Sequence, residues 1–260
     1  MSSEISPKAD VSPKAKIGDG CKIFPFVYIE DDVVIGDNCV IFPFVSILNG
    51  SRIGTRNKIH QCTVISALPQ DFNFVGEKSE CIIGDNNIIR ENVVINRATH
   101  RGCSTVIGSD NFLMEGVHIS HDTKVGNHCI FSYEAKIAGD CEIADHAIFS
   151  SSVIQKANTR VGTAAYITAG TTFARDIPPY IVTGGNPIAY DSVNTSICRE
   201  LGISEKVIKH IANAYRLVFH GQTSVFDACL QVNDQVPDSP EIRNIVEFIQ
   251  KTEQGIICKL

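Results

Sequence analysis

The chain has no tryptophan and only two methionines among its 260 residues, and its ten cysteines include no Cys-x-x-Cys pair. The missing pair removes the usual spacing of a cysteine zinc site. There is no charged-then-apolar opening segment, since the sequence begins MSSEISPKAD. No run approaches the ~18 apolar residues of a membrane span. These absences predict a cytoplasmic protein with no transmembrane segment, whose cysteines are thiols. Positive charge is also scarce. The 23 Lys and Arg against 29 Asp and Glu leave a net charge of −6. That balance argues against a nucleic-acid partner, because such binding depends on neutralising phosphates, but it leaves room for a local basic patch. Cys258-Lys259-Leu260 loosely resembles a peroxisomal address, and a three-residue match is read as coincidence.

What the sequence does hold is a repeat of six. From Ile5, steps of six give Val11, Ile17, Ile23, Ile29, Ile35, Ile41, Ile47, Ile53, Ile59 and Ile65, and the same phase resumes at Ile83 and runs to Phe173. Only Asp71, Glu77, Arg101 and Gln155 break it. No helical or coiled-coil period produces this pattern. Two residues before many of these aliphatics stands a small side chain, as at Ala15, Cys21, Val27, Cys39, Cys129, Ala135 and Cys141. One bulky and one small inward residue per six fits a narrow coil with three short strands per turn. Ile23-Phe24-Pro25-Phe26-Val27 recurs as Ile41-Phe42-Pro43-Phe44-Val45, and this shift of eighteen sets the length of a coil. The predicted fold is mainly β: a parallel β-helix over residues 1–190, stabilised by stacking coil on coil. Cys21, Cys39, Cys129 and Cys141 are then core residues with no assigned chemistry.

Residues 66–82 and 96–106 lack the pattern and read as excursions, which on a regular scaffold are commonly functional. Asp176-Ile177-Pro178-Pro179-Tyr180 ends the repeat, Gly184-Gly185-Asn186-Pro187 makes a turn, and the period then becomes helical. One helix follows Ser204 with Val207, Ile208, Ile211, Tyr215 and Val218 on one face. A second spans Ser224 to Gln231 and a third Ser239 to Thr252. Residues 191–260 thus form a C-terminal α-helical domain.

The candidate chemistry lies in Met114-Glu115-Gly116-Val117-His118-Ile119-Ser120-His121-Asp122. His118 and His121 flank the inward Ile119, so neither takes the bulky core position. Two outward histidines and an acid suit acid–base work or a metal, although zinc needs further ligands in matching geometry. None of the other six histidines repeats the arrangement, and no metal is assigned. One coil on from His121 and Asp122 stand Gly139 and Asp140, about one strand spacing (~4.8 Å) away. A glycine beside a histidine leaves a backbone N–H open to a ligand, as an oxyanion would need. Spacing alone leaves two readings open, a catalytic pair and a solvated surface pair.

The repeat, the two excursions, the His118-Ile119-Ser120-His121-Asp122 cluster and Ala212-Asn213-Ala214-Tyr215 in the tail together resemble the UDP-N-acetylglucosamine O-acyltransferases that begin lipid A synthesis. The likeness covers nearly the whole chain. It implies that the coil is a left-handed β-helix and the enzyme a homotrimer with active sites between subunits, which transfers a 3-hydroxyacyl chain from acyl carrier protein to the sugar 3-hydroxyl of a UDP-amino sugar. It implies no cofactor, the carrier thioester being a co-substrate. His121 matches the family's general base, Asp122 the carboxylate that orients it, and Gly139 the oxyanion N–H donor. Asp71 matches a residue holding the sugar hydroxyls, His118 one lining the sugar pocket, and Asn194 a nucleotide contact. Around the substrate, Asn73 stands where better-known members carry lysine, and Asp140 and Lys156 where they carry histidines. Ser196 and Glu200 replace an acid and an arginine, with Arg199 one position earlier. Met114 and Ala169 are assigned to the acyl chain, Ala169 replacing a glycine associated with chain length. An acidic carrier protein needs a basic surface, for which Lys136, Lys156, Arg160, Arg199, Lys206, Lys209 and Arg216 are candidates.

The rival readings are the N-acyltransferase of the same pathway, a coenzyme A-dependent acetyltransferase of the hexapeptide superfamily, a γ-type carbonic anhydrase and a non-enzymatic solenoid. The first would need an extra N-terminal uridine-binding domain, for which a repeat starting at Ile5 leaves no room. The second would lack this helical tail. The third needs three histidine ligands, and the last needs flat, uninterrupted faces.

Overall fold

The structure is a computed structural model and describes residues 2–258. Most strands are only two or three residues long and end on an apolar residue of the six-residue phase, as in Lys22–Ile23, Tyr28–Ile29 and Val33–Ile35. Successive strands go to three different sheets. A strand pairs in parallel with the one a full coil away, so that Ile23 lies beside Ile41, Ile29 beside Ile47 and Ile35 beside Ile53. Among the described residues this gives three long parallel ladders around one narrow core, the coil that the repeat predicts and the left-handed β-helix that the resemblance implies. Ile41, Ile47, Ile59, Ile89 and Ile119 are wholly buried, and each isoleucine removed from water contributes roughly 1.5–3 kcal/mol.

The corners carry a second phase that the sequence reading did not use. Three residues past most of these aliphatics the backbone turns left-handed, at Asn38, Asn86, Asp110, Asp122 and Asp140 among others, with φ of 57°, 57°, 59°, 57° and 58°. Asn and Asp tolerate this conformation better than most side chains. The inward position two residues before the aliphatic also differs from expectation. Besides Cys, Val and Ala it takes Asn57, Thr63, Asn87, Thr105, Asn111 and Thr123, all buried. The asparagines form a ladder. Asn87 donates through its backbone N and its Nδ2 to Asn57 Oδ1 (2.9 and 3.0 Å), Asn111 N donates to Asn87 Oδ1 (2.9 Å), and Cys129 N donates to Asn111 Oδ1 (2.7 Å). Their amide nitrogens also donate to Gly84, Gly108 and Gly126 carbonyls. These asparagines enter the core because their amides are paired from coil to coil.

The excursions preserve the phase for a simple reason. Ile59 pairs with Ile89, thirty residues on, and Ile89 with Leu113, twenty-four on. The first excursion therefore adds twelve residues to a coil and the second adds six. Three of the four residues that break the repeat, Asp71, Glu77 and Arg101, belong to these excursions and not to the wall. The fourth, Gln155, is fully buried in the wall and donates to Thr159 O at 3.0 Å. Both excursions leave at the same corner, between strands of the second sheet (Val64–Ala67, Val94–Asn96) and of the third (Glu80–Ile83, Ser104–Ile107).

The last parallel strand, Ile181–Gly184, turns back through the expected Gly185–Pro187 turn into an antiparallel partner, Ala189–Val193. The sequence reading did not foresee that hairpin. Four helices follow: α1 (Thr195–Glu200), α2 (Glu205–His220), α3 (Val225–Gln235) and α4 (Pro240–Gln250). Ser204, Ser224 and Ser239 cap α2, α3 and α4, as their sequence predicts. Helix α3 runs past the expected Gln231 to Gln235, and α1 is additional, a six-residue helix too short to show a period. Tyr215 of α2 is fully buried and donates its hydroxyl to Pro179 O. No helix among the described residues is long and apolar enough to cross a membrane. Lys259 and Leu260, two of the three residues that resemble a peroxisomal address, lie outside the described residues.

The asparagine ladder yields a test. Asn87→Ala leaves the Asn111 N–H and the Gly108 carbonyl without partners inside the core, at about 1–3 kcal/mol for each orphaned group. Urea denaturation is expected to show a loss of at least about 2 kcal/mol. A loss below about 0.5 kcal/mol would mean that the ladder is incidental.

Candidate active site

His121, Asp122 and the base of both excursions share one corner of the coil, because strand His118–Ile119 belongs to the second sheet and Lys124–Val125 to the third. The left-handed turn at Asp122 brings its carboxylate back beside the ring that precedes it. His121 Nδ1 lies 3.0 Å from Asp122 Oδ2. The same oxygen accepts from Thr99 N (3.0 Å) and Thr99 Oγ1 (2.7 Å), and the Asp122 backbone N donates to Thr105 Oγ1 (2.9 Å). Burial pushes the Asp122 carboxyl up, but the Thr99 and His121 hydrogen bonds outweigh it and hold the group below its ordinary value. An ionised carboxylate only accepts, so His121 carries its proton on Nδ1. Its Nε2 makes no hydrogen bond among the described residues and lies 3.8 Å from Asp71 Oδ2 of the first excursion. The ring is nearly buried, at 9% exposure.

Gly139 stands one coil on. A Cβ there would fall 2.5 Å from His121 Cε1 and 2.8 Å from Nε2, so only glycine leaves the ring in place. Its φ is not in the left-handed region, and contact with His121 alone demands the missing side chain. The Gly139 N–H makes no hydrogen bond among the described residues. His118 faces out from the second sheet beside Lys136. Its Nε2 lies 2.8 Å from Oδ1 of the buried Asn96. Burial, with help from Lys136 and His121, holds its pKa below the ordinary histidine value.

Of the residues picked out in the sequence, the chain itself brings together Asp71, His118, His121, Asp122 and Gly139. Asn73 and Asp140 border this group and are exposed: the Asn73 N–H donates to Asp71 Oδ1 at 2.6 Å, and the Asp140 N–H to His121 O at 3.1 Å. Lys156 is exposed on the same edge, past Ile154–Gln155 of the second sheet. Met114 and Ala169 lie elsewhere, at the corner between the first and second sheets, following Phe112–Leu113 and Tyr166–Ile167. Asn194 is buried as the N-cap of α1, with Nδ2 donating to Ala164 O at 3.0 Å. Arg199 is exposed and paired with Glu205. The sequence reading missed Asn96, Thr99 and Thr105. No local pattern marks Asn96 and Thr99, because they reach the site through the fold of the second excursion, and Thr105 reads as one more inward residue of the repeat.

The contacts of Asp122 predict a pH-dependent stability. A carboxyl held below its unfolded value stabilises the fold above the ordinary carboxylate range, and that contribution is lost as pH falls through the folded value. Thr99→Val removes one donor to it. The variant is expected to lose roughly 1.5 kcal/mol or more at pH 7, with the gap to wild type closing in acid. Urea titrations across the acid limb measure this, and a gap that stays constant would rule the account out.

Comparison with known proteins places this geometry. Residues 176–257 match the family described as UDP-N-acetylglucosamine O-acyltransferase, domain 2, and residues 14–41, 32–67 and 104–139 match bacterial transferase hexapeptide repeats. The acyl-[acyl-carrier-protein]–UDP-N-acetylglucosamine O-acyltransferase of Halorhodospira halophila is 36% identical over 97% of this chain and 98% of its own. That of Pseudomonas entomophila is 32% identical over 98% and 99%. Among solved structures, LpxA, a UDP-N-acetylglucosamine acyltransferase from Bacteroides fragilis, is 49% identical with a TM-score of 0.95 over 97% of this chain and 99% of that one. The Francisella novicida UDP-N-acetylglucosamine acyltransferase is 30% identical with a TM-score of 0.92, over 98% and 94%. Near-complete coverage at these identities, on the same β-helix with the same helical tail, means that the chain belongs to the UDP-N-acetylglucosamine O-acyltransferase family.

Proposed function

We propose that this enzyme transfers a 3-hydroxyacyl group from acyl carrier protein to the 3-hydroxyl of UDP-N-acetylglucosamine, the first step of lipid A synthesis, as a cytoplasmic homotrimer. The observation that carries the chemistry is the His121 ring. Its Nδ1 is occupied by Asp122, and its Nε2 is free and faces Asp71. A sugar hydroxyl is a poor nucleophile at neutral pH and needs a positioned base. The hydroxyl lies between Asp71, which accepts a hydrogen bond from the sugar, and His121 Nε2, which removes its proton as the oxygen attacks the thioester carbonyl. Asp122 stabilises the imidazolium that forms. The Gly139 N–H takes the oxyanion of the tetrahedral intermediate. Collapse breaks the carbon–sulfur bond, and the departing thiolate of the carrier's arm takes the proton back from His121. His118, Asn73, Asp140 and Lys156 surround the sugar nucleotide. The carrier docks on the exposed Lys206, Lys209 and Arg216 of α2, since Lys136, Arg160 and Arg199 are already paired with Glu134, Glu142 and Glu205.

Assembly follows from the separation of residues over two corners. If Met114 and Ala169 line the acyl chain while His121 performs the chemistry, a second copy must bring its first corner to the first copy's second corner. Arg199 of α1, with Asn194 fixing the start of that helix, completes the nucleotide site in the same way. Light scattering is expected to give a mass near three times the 28.4 kDa chain, and a monomer at micromolar concentration would exclude a site shared between copies.

The direct test is mass spectrometry of products formed from UDP-N-acetylglucosamine with a panel of acyl carrier protein thioesters. Against that assay, His121→Ala is expected to lose at least about 10²-fold in kcat with an unchanged circular dichroism spectrum. Gly139→Ala, whose Cβ must displace the ring, is expected to lose on the order of tenfold or more. His118→Ala should act mainly on KM for the sugar nucleotide. Retention of more than about a tenth of wild-type kcat by His121→Ala would place the base elsewhere.

A further inference from the structure

Asn96 is wholly buried at the mouth of the second excursion, and its amide connects two parts of the site. Nδ2 donates to Leu68 O at 2.6 Å, with Ala67 O at 3.4 Å, so it grips the stem of the first excursion just before Asp71. Oδ1 faces His118 Nε2 at 2.8 Å. Flipping the amide would set Oδ1 against the Leu68 carbonyl oxygen, two acceptors at hydrogen-bond distance, so the orientation is fixed. An amide oxygen only accepts, and His118 Nε2 therefore carries the proton. With the ring neutral, Nδ1 is left as a lone pair with no partner among the described residues. Such a ring accepts a hydrogen bond from a hydroxyl or amide N–H of a ligand and offers that ligand no donor. The charged and titratable groups facing it are Lys136, in the adjacent strand and paired with Glu134, and His121, held by Asp122. The neighbour on the other side is the apolar Val94.

We propose that Asn96 is a positioning residue that fixes His118 as a hydrogen-bond acceptor toward the sugar nucleotide and joins it to the stem of the excursion that carries Asp71. The ligand's identity rests on the function proposed above, but the tautomer does not. The 15N spectrum of histidine-labelled protein, with His118→Gln to assign the resonance, reads the tautomer without substrate. It is expected to show His118 neutral with the proton on Nε2, and an Nδ1–H tautomer overturns the inference whatever the substrate.

The functional arm uses UDP-N-acetylglucosamine as the calorimetric probe, with KM and kcat measured in parallel. Asn96→Leu is expected to weaken binding on the order of tenfold at every pH from 7 to 9, with kcat changed by less than about threefold. Asn96→Asp keeps an acceptor on Nε2, loosens the grip on the Leu68 carbonyl because a carboxylate oxygen replaces the Nδ2 donor, and adds a charge that favours the imidazolium, which would donate from both nitrogens. Its binding is therefore expected to be weak at pH 7 and to recover toward wild type by pH 9, a trend that wild type and Asn96→Leu lack. A purely structural role predicts pH-independent losses that track thermal stability. That result, or wild-type binding by Asn96→Asp at pH 7, overturns the inference. If wild type shows the expected tautomer yet neither binds nor acylates the probe, the proposed substrate fails and the tautomer assignment stands.

Discussion

The backbone ladder between coils constrains everything else. Each strand is too short to be stable alone, and its amides find partners only in strands one coil away, so a residue's neighbours are set by position within the coil. For that reason Val94, His118, Lys136 and Ile154 stand in one row. Insertions are tolerated only where they return the chain to the same phase, and the two excursions, longer by twelve and by six residues, do so. An addition that shifted the phase would turn the next inward isoleucine toward water and an outward residue into a core wide enough for one large side chain per strand.

Confining both excursions to one corner then sets their side chains against those of the coil at a single place. The coil supplies His121, Asp122 and Gly139 at fixed spacing. The excursions supply the groups that make them chemically distinct: Thr99 on Asp122, Asn96 on His118 and Asp71 opposite Nε2 of His121. The wall alone would leave His121 beside Asp122 with no second donor on the carboxylate and nothing facing the ring. The left-handed corner contributes directly, because Asp122 reaches back to its own neighbour's ring only through a turn of that kind.

Much of this was legible in the sequence. The six-residue phase marks the inward isoleucines, and the eighteen-residue shift already places Gly139 over His121 and Asp140 over Asp122. Capping serines locate three of the four helices. What escaped notice was set by tertiary context. Asn57, Asn87 and Asn111 break the expectation of an apolar small position, and only the structure shows that each amide is saturated by the next coil. Asn96 and Thr99 sit in a segment with no period, so nothing local separates them from solvated loop residues. Asn194 was read as a nucleotide contact from resemblance alone, and within one chain its side chain is already committed to capping α1 and to Ala164 O.

The two site histidines show how one excursion sets two different chemistries. Both are outward residues of the same short segment, and each has one ring nitrogen fixed by a side-chain partner, but the choice is opposite. His121 gives its Nδ1 proton to Asp122, whose carboxylate Thr99 keeps ionised, and so has Nε2 open beside Asp71. His118 gives its Nε2 proton to Asn96 and so has Nδ1 open. The partners differ in charge as well. A carboxylate stabilises an imidazolium, which is what a base that gains a proton during turnover requires. A neutral amide beside a buried ring does so far less, and burial with Lys136 keeps His118 uncharged. Two histidines three residues apart thus become a base and an acceptor because the second excursion meets one through a threonine-bound carboxylate and the other through an amide.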